Sequence, residues 1–353
     1  MKKIAIITIT NSGMNYGNRL QNYALQHVLE GCSAQVQTIY SAKSLFNSLI
    51  LSKLRRLAKA LLKSSSRRRS FNSFDNKYIK KAKRVRYEGL NDHTFNNDFD
   101  AFIAGSDQVW NPNFHFNSGF EFMTFADPPK RYSYSASFGV SEIPEHHRQE
   151  YAERLKQMQG ISVREEQGRE IVKQLSDRDA EVHIDPTMLL DAEHYVGMEE
   201  KPEHPLPDKY LLTYFFGEKT PEYIAFLSDV AERLGLHVLE LSDLPGTPFY
   251  NLGPQHFLYL IRHADYFCTD SFHAAVFSIL FHKPFTVFYR RDDNVPMSSR
   301  IDTLLDKVNL KERLFGALSV EDSMKHIPYD EVDERLFRER EAAFKYLREI
   351  VER

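Results

Sequence analysis

Cysteine is nearly absent from this chain of 353 residues, with only Cys32 and Cys268. A disulfide framework and a cysteine metal site are therefore excluded as organising features. The 14 histidines are scattered, His146-His147 forms an isolated pair, and no helix carries a His/carboxylate ligand pattern, so no metal is expected. No apolar run is long enough to span a bilayer. Met1-Lys2-Lys3 leads straight into a short apolar strand, so no signal peptide is expected, and the expected location is the cytoplasm. Net charge is only −3, which argues against nucleic-acid binding by the molecule as a whole. There is neither a GxGxxG fingerprint nor a P-loop. Tryptophan is limited to Trp110.

What is present is a strand and helix alternation in a soluble composition, 42% hydrophobic and 27% charged. The β-branched run Ile4–Ile9 reads as a parallel strand covered on both faces. A polar loop from Thr10 to Asn18 and a helix from Arg19 follow it, and Val36–Tyr40 completes a βαβ opening. Further strands are predicted at Phe99–Gly105, Ile161–Arg164 and Val182–Ile184, and Tyr132–Gly139 alternates polar and aromatic residues and ends in Gly. The proline-rich stretch from Lys201 to Asp208 reads as a linker. A second alternation starts at Tyr210–Tyr214, and its helix from Glu222 to Leu234 is expected to turn Ile224, Leu227, Val230 and Ala231 inward. The chain ends in one long helix from Asp330.

This pattern predicts an α/β protein with two Rossmann-like parallel-sheet domains in a GT-B-like arrangement, spanning 1–190 and 205–328. Helix 329–353 is expected to pack back toward the first domain. In such a fold the site lies in the cleft where the C-terminal strand ends of both sheets face each other.

Thr269–Pro284 is the central stretch. Tyr266-Phe267-Cys268 reads as a buried strand end, Asp270 and Ser271 as helix caps, and Ala274–Phe281 as a buried helix stopped by Pro284. His273 falls at the helix N-terminus, where free N–H groups and the helix dipole favour an anion. Residues 43–86 differ from the rest: leucines mix with many Lys and Arg, and Asp75 is the only acid. They read either as a basic amphipathic insertion suited to an anionic membrane or glycan surface, through about 45–69, or as a helical insertion with a merely solvated basic face.

With these residues in view, the chain resembles the polysaccharide pyruvyl transferase family. The matching pieces are Asn15–Leu25, Gly105-Ser106-Asp107-Gln108-Val109-Trp110-Asn111, Ser133–Gly139, Ser162-Val163-Arg164-Glu165, Asp185-Pro186-Thr187 and Thr269–Ala274, in the expected order. The resemblance implies an enzyme that takes the enolpyruvyl unit of phosphoenolpyruvate, installs a pyruvate ketal on two hydroxyls of a polysaccharide or lipid-linked sugar, and releases phosphate. No separate cofactor is implied. Relatives carry an Arg-x-His unit at the start of the second-domain helix. Here His273 is present but Ser271 stands at the Arg position, so another cation must complete the donor site, or the site differs.

The candidate donor ligands are Arg164, Arg300, Ser271, His273 and Lys283, with Arg290 and Arg291 near the same edge. Arg164 otherwise pairs with Glu165 or Glu166, and Arg300 is otherwise an ordinary helix-start arginine. His273 is the candidate acid/base, since a histidine near its free pKa suits proton transfer. Asp107 would orient or deprotonate a hydroxyl, or is a turn aspartate. Asn15, Asn18, Gln108 and Trp110 are the candidate acceptor contacts, the asparagines alternatively serving turns and the tryptophan the core. Asp185-Pro186 is read as shaping a hinge. Two other readings share the architecture: a GT-B glycosyltransferase using a nucleotide-sugar, and a non-catalytic glycan-binding homologue.

Overall fold

A computed structural model describes residues 1–9, 14–42, 65–81, 85–86, 94–114, 119–290 and 299–353. The main elements of the first half are β1 (Lys3–Ile7), α1 (Tyr16–Gly31), β2 (Gln35–Ile39), α2 (Ser65–Tyr78), β3 (Ala101–Ala104) and β4 (Arg131–Ser133). Helix α3 (Glu145–Lys156), strand β5 (Ser162–Val163), helix α4 (Glu166–Ser176) and strand β6 (Glu181–Val182) follow. The four longer strands form a parallel sheet in the order β2-β1-β3-β4. Ile7 sits opposite both Ile39 and Ala104, so the strand ends are level and the loops beyond them share one edge. Single bridges from Tyr132 to Gly160 and from Ala136 to Val163 join the β5–β6 pair to that sheet.

The second half repeats the plan with β7 (Tyr210–Tyr214), α5 (Pro221–Leu234), β8 (His237–Leu241), α6 (Pro254–His263), β9 (Tyr266–Thr269), α7 (Phe272–Leu280), β10 (Phe285–Val287) and α8 (Ser299–Lys307). Its sheet is also parallel, in the order β8-β7-β9-β10. The last helix, α9 (Tyr329–Glu352), lies against the first half. Tyr346 donates its hydroxyl to Ser133 O at 2.9 Å, and Arg340 donates to Met188 O at 2.7 Å and to Leu190 O at 2.9 Å.

The alternation of side chains explains the packing. Along β1, Ile4 and Ile6 enter one core while Ala5 and Ile7 enter another, so both faces of the strand are covered. Leu212 and Phe267 of the second sheet belong to the same core as Ile4 and Ile6, which therefore runs continuously between the halves. Tyr16 of α1 stacks on Phe257 of α6, with ring centroids 4.8 Å apart and planes 11° apart. Each such buried ring contributes on the order of 1.5–3 kcal/mol.

Several boundaries differ from the sequence reading. Helix α1 begins three residues earlier than Arg19, because Asn15 Oδ1 accepts from Asn18 N at 2.9 Å and caps it. The alternating stretch from Tyr132 to Gly139 is a strand only to Ser133, and Ser135 (φ 50°) and Gly139 (φ 64°) take left-handed conformations that a strand excludes. On α5, Ile224 is 52% exposed, and Tyr223 and Phe226 face inward instead.

Most of the basic segment, at 43–64 and 82–84, lies outside the described residues. Its described part corrects the reading of a wholly solvated basic face. Arg67 is 2% exposed and reaches into the second half. It donates to Tyr250 O at 2.6 Å, Met14 O at 3.0 Å and the Tyr16 hydroxyl at 3.0 Å, and pairs with Asp243 at 2.5 Å. Among the described residues no helix is long and apolar enough to cross a membrane.

Candidate functional site

The C-terminal ends of both sheets open on a cavity of about 250 Å³. Its wall includes Asn15, Asp107 and Gln108 from the first half, and Ser271, His273 and Arg300 from the second. Arg290 and the rings of Phe216 and Phe272 also line it.

The turn from β9 into α7 builds one side. Thr269 Oγ1 accepts from Ser271 N at 3.0 Å, which turns the chain sharply after the strand. Ser271 is the N-cap residue, but its hydroxyl makes no capping bond, and the residue lines the cavity. Asp270, expected as a cap, serves a different purpose. Its carboxylate accepts from Phe216 N at 2.8 Å and Gly217 N at 2.7 Å, pinning the loop after β7, and Arg290 Nε stands 3.6 Å away. Every residue from Phe272 to Leu280 is buried, as an apolar sequence on all faces requires.

Asp107 lies at the tip of the loop after β3, with φ 68°. A non-glycine residue in that region is uncommon, and its own carboxylate supports the turn by accepting from Gln108 N at 2.9 Å. Asn18 Nδ2 approaches its other oxygen at 3.5 Å. Asn18 is 1% exposed and does not line the cavity, so its amide lies behind Asp107 and not at the cavity wall. Asn15 reaches the cavity while also capping α1. Gln108 is held by Asn111, whose amide donates to its Oε1 at 2.5 Å.

Trp110 is fully buried, which corrects its assignment to the acceptor. Its indole N–H donates to Glu121 O at 3.2 Å and its ring stacks on Phe122 at 5.0 Å, because the loop turns it under the sheet into the core. Lys283 is also misplaced by the sequence reading. It follows the C-terminal end of α7, donates to Arg262 O at 2.9 Å, and is separated from the site by the length of that helix. Arg291 lies outside the described residues.

Arg164 does not line the cavity. It is 3% exposed, its guanidinium covers the Phe272 ring at 4.2 Å, and Nη1 donates to Asp185 at 3.0 Å. Glu165 stands 4.0 Å away but spends its carboxylate on Ser137 Oγ and Phe138 N, at 2.9 and 3.0 Å. Glu166 pairs with Arg169 instead. Arg300 is 8% exposed at the cavity wall. Burial, and then the nearby Arg164 charge, lower its pKa to about 10, so it remains a cation at neutral pH.

The residue missed by sequence reasoning is Asp185, read only as part of a hinge. It is 1% exposed and gathers Ser106 Oγ at 2.7 Å, Arg164 Nη1 at 3.0 Å and His273 Nε2 at 3.5 Å around one oxygen. Burial alone would raise its pKa, but His273, Arg164 and the Thr187 hydroxyl hold it well below the usual carboxylate range. An available signal was its position just past a strand at the sheet edge where the other loops converge. Among the described residues no group of three or more His, Cys, Asp or Glu is arranged to hold a metal.

Comparisons with known proteins bear on this geometry. A putative UDP-N-acetylglucosamine 2-epimerase from Listeria monocytogenes shares the fold at 12% identity and TM-score 0.51, covering 93% of both chains. A UDP-GlcNAc 2-epimerase from Methanocaldococcus jannaschii, in complex with UDP-GlcNAc and UDP, does so at 12% identity and TM-score 0.51, over 95% of this chain and 92% of that one. An alpha-glucosyltransferase in complex with UDP and DNA matches at 11% identity and TM-score 0.51, over 98% of this chain and 95% of that one. These likenesses establish the GT-B-like fold. No curated protein matches the sequence. The model of one family, described as polysaccharide pyruvyl transferase, matches residues 15–292, a span that holds Asn15, Asp107, Arg164, Asp185 and His273; the chain belongs to the polysaccharide pyruvyl transferase family.

Proposed function

We propose that the protein transfers the enolpyruvyl unit of phosphoenolpyruvate to a sugar of a polysaccharide or lipid-linked glycan, forming a pyruvate ketal and releasing phosphate. The observation that carries this reading is the convergence of Arg290, Arg300 and the N-terminus of α7 on one small cavity that also holds His273 and Asp107. Phosphoenolpyruvate brings roughly three negative charges, which need fixed cations and N–H donors. Arg300, with Arg290 beside it, stands in for the cation missing at Ser271. Arg164 stiffens the wall from behind.

In the proposed reaction, Asp107 removes the proton of one sugar hydroxyl as its oxygen bonds to the central enol carbon. His273 delivers a proton to the methylene carbon, which becomes the methyl group. The C–O bond to phosphate then breaks, and phosphate leaves with the bonding pair. The second hydroxyl adds to the same carbon and gives up its proton to the departing phosphate, closing the ketal. Phosphoenolpyruvate is the co-substrate and no further cofactor is invoked. Asn15 and Gln108 would hold the acceptor.

The test is incubation with phosphoenolpyruvate and a panel of sugar acceptors. Acceptor-dependent release of phosphate is expected. Its absence, with a nucleoside diphosphate released from a nucleotide-sugar instead, would replace this reading with a glycosyltransferase. Glycan binding without either turnover would mean a non-catalytic homologue.

A further inference from the structure

One buried carboxylate at the site takes no part in the proposed chemistry. Asp185 Oδ1 accepts from both Thr187 N at 3.0 Å and Thr187 Oγ1 at 2.6 Å, which locks its side-chain rotation. Oδ2 is then aimed at Ser106, Arg164 and His273 together. An aspartate that served Arg164 alone would not need the imidazole of the other half 3.5 Å away. His273 Nε2 has no hydrogen-bond partner among the described residues, so this carboxylate is the polar group it faces. On the ring's other side stands Gly17, where a Cβ would overlap the imidazole Cγ and Nδ1. The ring is thus held between a carboxylate and a bare backbone.

We propose that Asp185 is the positioning residue of the site: across the boundary between the halves it keeps the proton of the neutral His273 ring on Nε2, leaving Nδ1 as the nitrogen that takes up and then delivers the catalytic proton, while the same oxygen anchors Arg164. The physical reason is electrostatic. An N–H pointing at a buried carboxylate is attracted, whereas a ring lone pair pointing at it is repelled, and low local dielectric enlarges the difference. The catalytic part of this inference rests on the pyruvyl-transfer reading, but the tautomer is a property of the free protein.

The experiment is a two-dimensional proton–nitrogen spectrum of the imidazoles of ¹⁵N-histidine-labelled protein at alkaline pH, with His273→Gln used to assign the signal. The wild-type protein should show the Nε2–H form of His273. Asp185→Asn should raise the Nδ1–H fraction, because the uncharged amide oxygen, kept in place by the Arg164 and Ser106 donors, holds the Nε2–H less firmly than a carboxylate does. An Nδ1–H pattern in the wild-type protein overturns the proposal whether or not the variant folds, and so does an unchanged spectrum in a folded variant. A kinetic cycle completes the test. Asp185→Asn should lower kcat at least about tenfold. Added to His273→Ala it should lower kcat by no more than about threefold further, since residues acting as a unit are non-additive. Full additivity would assign Asp185 a structural role only. Absence of phosphoenolpyruvate turnover in the wild-type protein would defeat the functional reading, while the spectrum still decides the positioning.

Discussion

Gly17 in the first turn of α1 lies directly against the imidazole of His273 at the start of α7. Two helix N-termini, one from each half, meet there with no room for a side chain between them. The contact makes the position of His273 depend on how the two halves pack, and it leads to the first prediction.

Gly17→Ala should lower turnover by more than about tenfold. Alanine favours a helix over glycine by about 1 kcal/mol, so helix propensity cannot explain a loss. Overpacking typically costs on the order of 1–3 kcal/mol. Here the imidazole must leave its place between Gly17 and Asp185 to relieve it, since the carboxylate blocks the opposite side. Phosphate release together with a thermal melt checks this: activity should fall much further than Tm. Unaltered activity would show that the ring yields without consequence.

Arg300→Ala should raise KM for phosphoenolpyruvate on the order of 10- to 100-fold, the worth of a hydrogen-bonded charge pair. Arg164→Ala should also weaken donor binding, but through the wall it supports, whereas His273→Ala should act mainly on kcat. Steady-state kinetics with phosphoenolpyruvate as the varied substrate separates the three. Donor binding untouched by Arg300→Ala would remove it as the substitute for the cation absent at Ser271.

Arg67→Met should destabilise the protein by roughly 2–4 kcal/mol, because the carbonyls of Met14 and Tyr250 lose their donor and the Asp243 carboxylate its partner. The neighbouring Arg68 is exposed, and Arg68→Met should stay within about 0.5 kcal/mol. Urea unfolding of both variants provides the comparison. Equal effects would contradict the role of Arg67 as a tie between the halves.

His183 should make the protein less stable in mild acid. Burial, and then the charge of Lys307, lower its pKa from 6.5 to about 4. Between those values the unfolded chain binds the proton and the folded one does not, so stability falls as pH drops from 6.5 toward 4, by at most about 3 kcal/mol. Burial lowers His194 and His256 in the same direction. The depressed Asp185 carboxyl does not enter this window, because its contribution is lost only below its unfolded value. Denaturant midpoints across this range should flatten in His183→Gln. An unchanged slope would assign the acid sensitivity elsewhere.

Much of the architecture was legible locally. A β-branched run such as Ile4–Ile7 has one favourable destination, a strand covered on both faces, and the apolar helix from Phe272 to Leu280 can only be buried. The candidate site was legible where chemistry sits at a chain turn: His273, Ser271, Asp107 and Gln108 all line the cavity. Reading failed where a side chain's direction decides its role. Trp110 shares a loop with Asp107 yet turns into the core, and Lys283 follows the same helix as His273 but at its far end.

The sequence by itself determined that this is a two-sheet α/β chain of the pyruvyl transferase family with its candidate site at the strand ends, because periodicity, caps and motif order are local properties. Only the tertiary structure decided which charges meet. Arg67 reaches Asp243, Arg300 lines the cavity from the first turn of α8, and Asp185 comes within 3.5 Å of His273 from the opposite half. Those pairings depend on how two helices and two sheet edges pack in space, where residues far apart in the chain become neighbours and share one low-dielectric environment.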